Sequence, residues 1–531
     1  MSDRTPLPDT VVELHALVLE QQASLERALQ DIVERDLGIV ERDREIERLK
    51  AQIDKLKRMH FGRKSEQLGR EIEKLETQLE DAASGQGAAD VRGARARATS
   101  SGARPKDTLP KEALPAHLPR EERVLEPDPI CPKCGSAKTE ALGSDVSEQL
   151  ARVKEMFKVI RTIRHKSICR DCGHITQPPM PGLPIERGIA HPSLLADVIV
   201  SKYADHLPLY RQSAIAARDG VRLDRATMAR WVGQLAELCR PLIEALRRYA
   251  MASAKLHADD TPMPVLAPGN QKVKKGYLWV YVRDDRRAGS TEAAAVWFAY
   301  SPDREGIHPQ THLAGFVGIL QADGYTGFTA LYESEKVQQA SCWDHARRYL
   351  FDVHESAPSD TTAQWLEMIG ELYGIEADIR GKPPNDRKRV RQEKSKPLLA
   401  MLEASMREKH ATLWEKAPLV KAINYALNRW EALTLFCEDG RIEISNVLAE
   451  NALRCVSLGR KNYLFAGSDS GGERAAAMYS LIGSCKLNDI NPRAYLEYVF
   501  THIADHQANR IDELLPWNVA DKLRESWGSR A

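Results

Sequence analysis

Apolar side chains recur every seven residues at the start of the chain. Val11, Val18, Leu25, Ile32, Ile39, Ile46 and Ile53 form one row, and Leu14, Gln21, Ala28, Arg35, Arg42, Leu49 and Leu56 form its partner. A β-branched-rich first position favours parallel two-stranded coiled coils, while Arg35 and Arg42 thin the seam. The pattern predicts a self-associating coiled-coil region over 1–81, interrupted at Phe61–Glu66 and resumed by Leu68, Ile72, Leu75 and Leu79. One long helix packed on its own protein has the same pattern. From 82 to 115 the period dissolves into Gly, Ala, Ser, Pro and Arg, a composition that cannot bury enough apolar surface to fold and so predicts a flexible linker.

Later the apolar spacing changes twice. Phe157–Arg164 is strand-like, and 192–246 has helical spacing, with a break at Asp219-Gly220-Val221 and a capping residue at Asp224. This is helix-turn-helix spacing, which an ordinary helical hairpin shares. In the first reading the second helix offers Arg225, Thr227 and Arg230 to a major groove, where arginine pairs bidentately with guanine. A third pattern begins at Lys255-Leu256-His257-Ala258, a short strand expected to end on Asp259 and Asp260. The runs Tyr277–Val282 and Ala294–Tyr300 continue as antiparallel strands. A short helical piece follows near His308–Phe316, and then a fourth strand, Gly318–Ala322, stops at Asp323. Helices complete the chain, one of them, Asn446–Arg454, with Glu450 at its centre.

Strand, strand, strand, helix, strand and helices is the element order of a ribonuclease H-like fold. Its first and fourth strands are neighbours, so Asp259 and Asp323 are expected side by side, with Glu450 brought in by its helix. Carboxylates that close resist joint ionisation unless a cation neutralises them, and hard ions such as Mg²⁺ or Mn²⁺ prefer oxygen ligands. Taken singly, each acid has a plainer reading: an Asp after a strand is usually a turn former or helix cap, and a Glu on a helix usually faces water.

Composition narrows the classes. At 531 residues and 43% hydrophobic, the chain can build several cores, and a net charge of +1 leaves any DNA affinity to local patches. No apolar run approaches the roughly twenty residues of a membrane span, and the polar N-terminus does not resemble a signal peptide, so a cytoplasmic location is expected. Among nine cysteines, four form the pairs Cys131-Pro-Lys-Cys134 and Cys169-Arg-Asp-Cys172. Two such knuckles supply the four thiolates of a closed structural Zn²⁺ site, a better fit than a redox motif because neither pair opens a helix in a thioredoxin-like pattern.

Four stretches carry a more specific resemblance: His257–Pro262, Gln321–Tyr325, Cys342-Trp343-Asp344-His345-Ala346-Arg347-Arg348, and Leu458–Asp469 with Arg460 and Lys461. They resemble the insertion-sequence-66 family of bacterial transposases, over nearly the whole chain. Around the glutamate the family usually shows Asp-Asn-Asn-Ala-Ala-Glu-Arg-Ala-Ile-Arg-Pro. Here the run is Ile444-Ser445-Asn446-Val447-Leu448-Ala449-Glu450-Asn451-Ala452-Leu453-Arg454-Cys455, which keeps the Glu and Arg454. The resemblance implies a DDE transposase with Asp259, Asp323 and Glu450 as its three acids, acting on double-stranded DNA at the element's terminal repeats, with companion proteins of the element as possible partners. His345, Arg347, Arg348, Arg454, Arg460 and Lys461 are then candidate DNA contacts, although a helix packed on the core explains the first three nearly as well.

The expected organisation is multidomain, α and α/β: a coiled coil (1–81), linker (82–115), zinc ribbon (116–185) and helix-turn-helix domain (186–250). A ribonuclease H-like catalytic core (251–485) follows, interrupted by a helical insertion at about 342–440, and a helical tail (486–531) ends the chain. Two rival functions stay open: a non-catalytic sequence-specific DNA-binding protein, and a metal-dependent nuclease.

Overall fold

The computed structural model describes residues 114–528 except 154–155, 187, 267–272 and 464, together with Glu45, Ile46, Arg48, Leu49 and Gln52. Those five residues are helical, and Ile46 and Leu49, one from each heptad row, are buried. The rest of the expected coiled coil, and the linker as far as 113, lie outside the described residues.

The ribbon is built on a long antiparallel hairpin. Strand β1 (Arg120–Leu125) lies parallel to β3 (Met156–Cys169), which pairs antiparallel with β2 (Thr139–Val153) and with the two-residue β4 (Ile175–Thr176). Phe157 and Val159 of β3 turn inward and join the main core. Four helices follow: α1 (Pro192–Tyr203), α2 (Leu209–Arg218), α3 (Arg225–Leu238) and α4 (Arg240–Met251). Proline opens α1, where its missing N–H costs nothing, and the His191 ring accepts the Ser193 N–H as the cap. Asp224 stands at the N-cap position of α3 with extended backbone, as expected, but makes no side-chain cap; its carboxylate accepts from Arg222 instead.

The central sheet has five strands: β5 (Lys255–Leu266), β6 (Val273–Arg283), β7 (Ala295–Ser301), β8 (Gly318–Ala322) and β9 (Val337–Ser341). Their order is β7-β6-β5-β8-β9. The first three strands are antiparallel, whereas β8 runs parallel to both β5 and β9. Contrary to the sequence expectation, β5 does not end at Asp259. It continues to Leu266 through two prolines, because β8 pairs with β5 only at Lys255–His257. Beyond that point the outer edge is free for residues lacking an N–H. There the Pro262 carbonyl accepts from Arg460 and the Pro264 carbonyl from the Ala466 N–H.

Helices α10 (Val447–Gly459) and α11 (Asp469–Leu487) pack on this sheet, α12 (Pro492–His502) packs against α1 and α11, and α13 (Pro516–Gly528) follows. Helix α11 also protects the edge of β7. Ser480 Oγ accepts the Phe298 N–H at 2.8 Å, Ser484 Oγ accepts the Val296 N–H at 3.1 Å, and Asn488 bonds both backbone groups of Ala294. An edge strand's spare backbone groups are a liability unless covered, and here side chains cover them. Gly483 permits the approach, since a Cβ there would stand 2.6 Å from Val296 Cγ1.

Between β9 and α10 comes a helical segment: α5 (Trp343–Ser356), α6 (Asp360–Ile379), α7 (Pro384–Val390), α8 (Lys396–Ala411) and α9 (Pro418–Leu427). It owns a separate core around Trp343, Trp365, Leu372 and Met406. Its sequence is rich in cations, yet two of them are internal. Arg391 (0% exposed) donates to both carboxylate oxygens of Glu376 at 2.6 Å and to the Phe436 and Ile442 carbonyls. Arg387 (1% exposed) pairs with Glu376 and Glu443. Half-way along an apparently solvated basic run, two guanidiniums hold the insertion to the chain that leads into α10.

Candidate metal centres and nucleic-acid interface

The two knuckles meet. In each, a glycine with positive φ, Gly135 (+72°) and Gly173 (+69°), turns the chain back so that its N–H reaches the carbonyl of the first cysteine. Cys131 and Cys172 Sγ lie 3.4 Å apart, and Cys134 and Cys169 Sγ 3.5 Å apart. All four sulfurs fall within 4.8 Å of one another. Four thiols this close, with no disulfide among them, match the tetrahedral donor set of structural zinc. The basic residues of β3 beside them are largely neutralised by acids of the same ribbon: Lys158 by Glu121, Arg161 by Glu122, and Arg164 and Lys166 by Asp145.

The sheet carries the acids. Asp259 lies within β5, opposite Val280 of β6, and Asp323 follows the last residue of β8. Glu450 occupies the first turn of α10. Burial pushes the Asp259 carboxyl up to about 7, against a backbone N–H from Asp260, and the charges of Asp323, Asp260 and Glu450 push it further in the same direction. The three predicted acids therefore share one electrostatic neighbourhood. They are nevertheless spaced more openly than the thiols. Among the described residues, the second group with all ligand atoms within 4.8 Å is Cys342, His345 and Glu450.

Polar side chains that sequence reasoning overlooked hold the neighbourhood together. Asn446, fully buried, donates to the Ala258 carbonyl at 2.8 Å, meets His257 Nδ1 at 3.1 Å, and gives its backbone N–H to Cys342 Sγ at 3.1 Å. It ties the start of α10 to the strand of Asp259. Gln321, also fully buried, exchanges hydrogen bonds with the Glu443 backbone and so ties the strand of Asp323 to the same segment. Asp260 is clamped by Arg304, at 2.8 and 2.9 Å, which gives the fourth carboxylate of the group its own counter-charge. Arg304 itself lies over the Tyr325 ring, 4.2 Å from its centroid. Asn446 could have been singled out from its place in the glutamate run; nothing in the sequence marks Arg304.

The predicted DNA contacts divide into groups. Arg225 and Thr227 are half-buried and Arg230 is exposed on α3, whose opposite face is buried through Met228, Trp231 and Leu235. Arg347 and Arg348 are exposed on α5, and His345, half-buried, turns toward Glu450. Arg454 is exposed but lines a separate cavity of about 740 Å³ with Arg287, Arg380 and Lys486, over a floor that includes Val296 and Phe298. Arg460 spends its guanidinium on the Pro262 carbonyl and Ser457, while Lys461 is exposed. Among the described residues no helix is long and apolar enough to cross a membrane.

A zinc-finger-like cysteine cluster joined to a mixed sheet and packed helices defines a multidomain protein of helix and sheet with a donor set suited to structural zinc. Comparison with known proteins is more specific. Residues 187–474 match the Transposase IS66 family, 480–517 the IS66 C-terminal element and 128–173 the zinc-finger binding domain of transposase IS66. Residues 48–123 match a model described as Transposase C of IS166 homeodomain. The chain is 39% identical over 458 residues to Uncharacterized protein y4hP of Sinorhizobium fredii, covering 83% of each chain. It is 39% identical over 428 residues to Uncharacterized protein y4qI of the same organism, covering 79% of each. The chain belongs to the IS66 transposase family and is a transposase of an insertion sequence.

Proposed function

We propose that this transposase cuts and joins DNA at a ribonuclease H-like centre in which Asp259, Asp323 and Glu450 hold Mg²⁺ or Mn²⁺. The observation that carries the reading is strand adjacency: Asp259 lies on β5, which pairs with β8, the strand that stops just before Asp323, and the buried Asp259 carboxyl feels the charges of Asp323 and Glu450. The strand order, with three antiparallel strands followed by two parallel ones, agrees with such a core. Carboxylate oxygens are the donors these hard ions prefer. When bound, the ions would activate the attacking oxygen and stabilise the leaving one in an in-line displacement.

The protein's own groups supply position and charge. Asn446 ties the start of α10 to β5 and Gln321 ties β8 to the segment leading into α10, which would bring the glutamate beside the aspartates. Arg304 neutralises Asp260 and leaves the other acids to bind metal. In this reading exposed Arg347, Arg348, Arg454 and Lys461 meet phosphates, and Arg225, Thr227 and Arg230 read the terminal inverted repeats. Water attacks first at the element's end and frees a 3′-hydroxyl; that hydroxyl then attacks target DNA, with no covalent protein intermediate. Zinc in the Cys131–Cys172 cluster folds the ribbon, and the heptad pattern of the N-terminal sequence is the means by which copies come together in the bacterial cytoplasm. Companion proteins of the element complete the set of partners.

The test is Mg²⁺-dependent cleavage and joining of a labelled duplex carrying the element's end, with wild type, Asp259→Asn, Asp323→Asn and Glu450→Gln. Wild-type cutting and joining, with variants that bind but do neither, supports the assignment. Tight binding without cutting, even with companion proteins present, supports a non-catalytic DNA-binding protein. Hydrolysis without joining supports a nuclease.

A further inference from the structure

The segment between β9 and α5 carries a second metal-type constellation. Cys342 stands at the N-cap position of α5, and His345 follows three residues later on the first turn. Glu450, from the first turn of α10, completes a group in which one sulfur, one ring nitrogen and one carboxylate oxygen lie within 4.8 Å of one another. Cys342 is 1% exposed and its sulfur already accepts the Asn446 N–H, which holds it in place between the two helices. His345 Nδ1 is buried and has no hydrogen-bond partner, although a buried ring nitrogen is ordinarily satisfied. Asp344 borders the group: the Tyr373 hydroxyl donates to one of its carboxylate oxygens and the Cys342 thiol to the other, at 3.8 Å, a contact the sulfur gives up when it loses its proton to bind an ion.

We propose that Cys342, His345 and Glu450 form a Zn²⁺ site distinct from the cysteine ribbon, and that its occupation takes Glu450 away from the two aspartates. The donor set selects the ion. Mg²⁺ takes oxygen ligands, whereas sulfur with imidazole suits a borderline ion bound at about 2.0 Å from nitrogen and about 2.3 Å from sulfur. Ligands at such distances stand between about 3 and 4 Å from one another in a tetrahedron, so side-chain adjustments of under about an ångström close the group, with solvent in the fourth position. On binding, the thiol proton leaves to solvent and the thiolate sulfur donates to the ion. No electron transfer or other bond change is involved. The carboxylate that would complete the magnesium site is then held by zinc, so zinc opposes magnesium-dependent cleavage. That inhibitory consequence rests on the function proposed above; the binding site does not.

The experiment uses the full-length chain. Bound zinc is counted after equilibrium dialysis, and Co²⁺ is substituted to record the visible bands of tetrahedral thiolate coordination. Cys342→Ser keeps an acceptor for the Asn446 N–H, and His345→Asn changes a half-buried side chain, so each removes one ligand by a separate route. The expected result is that both variants lose one equivalent of zinc and part of the cobalt spectrum, while Cys131→Ser keeps that equivalent. Equal zinc content in wild type and both variants overturns the site. In the cleavage assay, added zinc is expected to suppress the wild type and to leave Cys342→Ser active; equal suppression of both overturns the inhibitory role. If no form cleaves DNA with any metal, the proposed function fails while the zinc count still decides the site.

Discussion

Replacing Asp259 with Asn should make the metal-free protein more stable while abolishing its chemistry. The Asp259 carboxyl sits at about 7 in the folded protein against 3.8 in an unperturbed chain, because burial and the charges of Asp323, Asp260 and Glu450 disfavour its ionised form. The folded state therefore holds this proton to higher pH than the unfolded chain does. Its favourable contribution is complete below the unfolded value and is lost as the pH rises through about 7. A rise of roughly three units, at about 1.4 kcal/mol each, amounts to about 4 kcal/mol of strain at about pH 8 and less than half of that at about pH 5. Asparagine removes the charge and keeps the side-chain oxygen that accepts the Asp260 N–H at 2.8 Å. Urea unfolding in EDTA, followed by tryptophan fluorescence, should show Asp259→Asn more stable than wild type by a large part of that figure at the higher pH, with the gap narrowing at the lower. Mg²⁺ should stabilise the wild type but not the variant. A variant no more stable at high pH than at low, relative to wild type, would refute the view that burial and the neighbouring acids disfavour the ionised Asp259 carboxylate in the folded state.

Three further outcomes follow from the geometry. Glu376→Gln should cost about 3–5 kcal/mol in denaturant titration, because it leaves the buried guanidiniums of Arg387 and Arg391 without their shared counter-charge; a neutral result would place those arginines in water. Asn446→Ala should cost about 1–3 kcal/mol for each buried group left unpaired, His257 Nδ1 and the Ala258 carbonyl, and should weaken Mg²⁺ binding measured by calorimetry by letting α10 drift from β5. Stripping zinc with a chelator should expose 128–173 to limited proteolysis while the central sheet resists; equal resistance throughout would show that the ribbon does not depend on metal.

The sequence by itself determined the zinc knuckles, the alternation of strands and helices, and the order in which three acids appear. Spacing of two between cysteines, and periods of two and near 3.6, are local consequences of backbone geometry, so they are visible without a fold. The closeness of Asp259, Asp323 and Glu450 was inferable only through an assumed strand order, since residues far apart along the chain have no local signature. What tertiary structure alone decided lies in side chains whose partners come from elsewhere. Arg391 looks like one more solvated cation until Glu376 and the Phe436 carbonyl enclose it. Nothing in the sequence shows that the Pro262 carbonyl accepts a hydrogen bond from Arg460. Strand β5 runs on past Asp259 through two prolines because its neighbour stops early. Burial and pairing are properties of the packed chain, and the proximity of His345 and Cys342 to the glutamate helix came only with that packing.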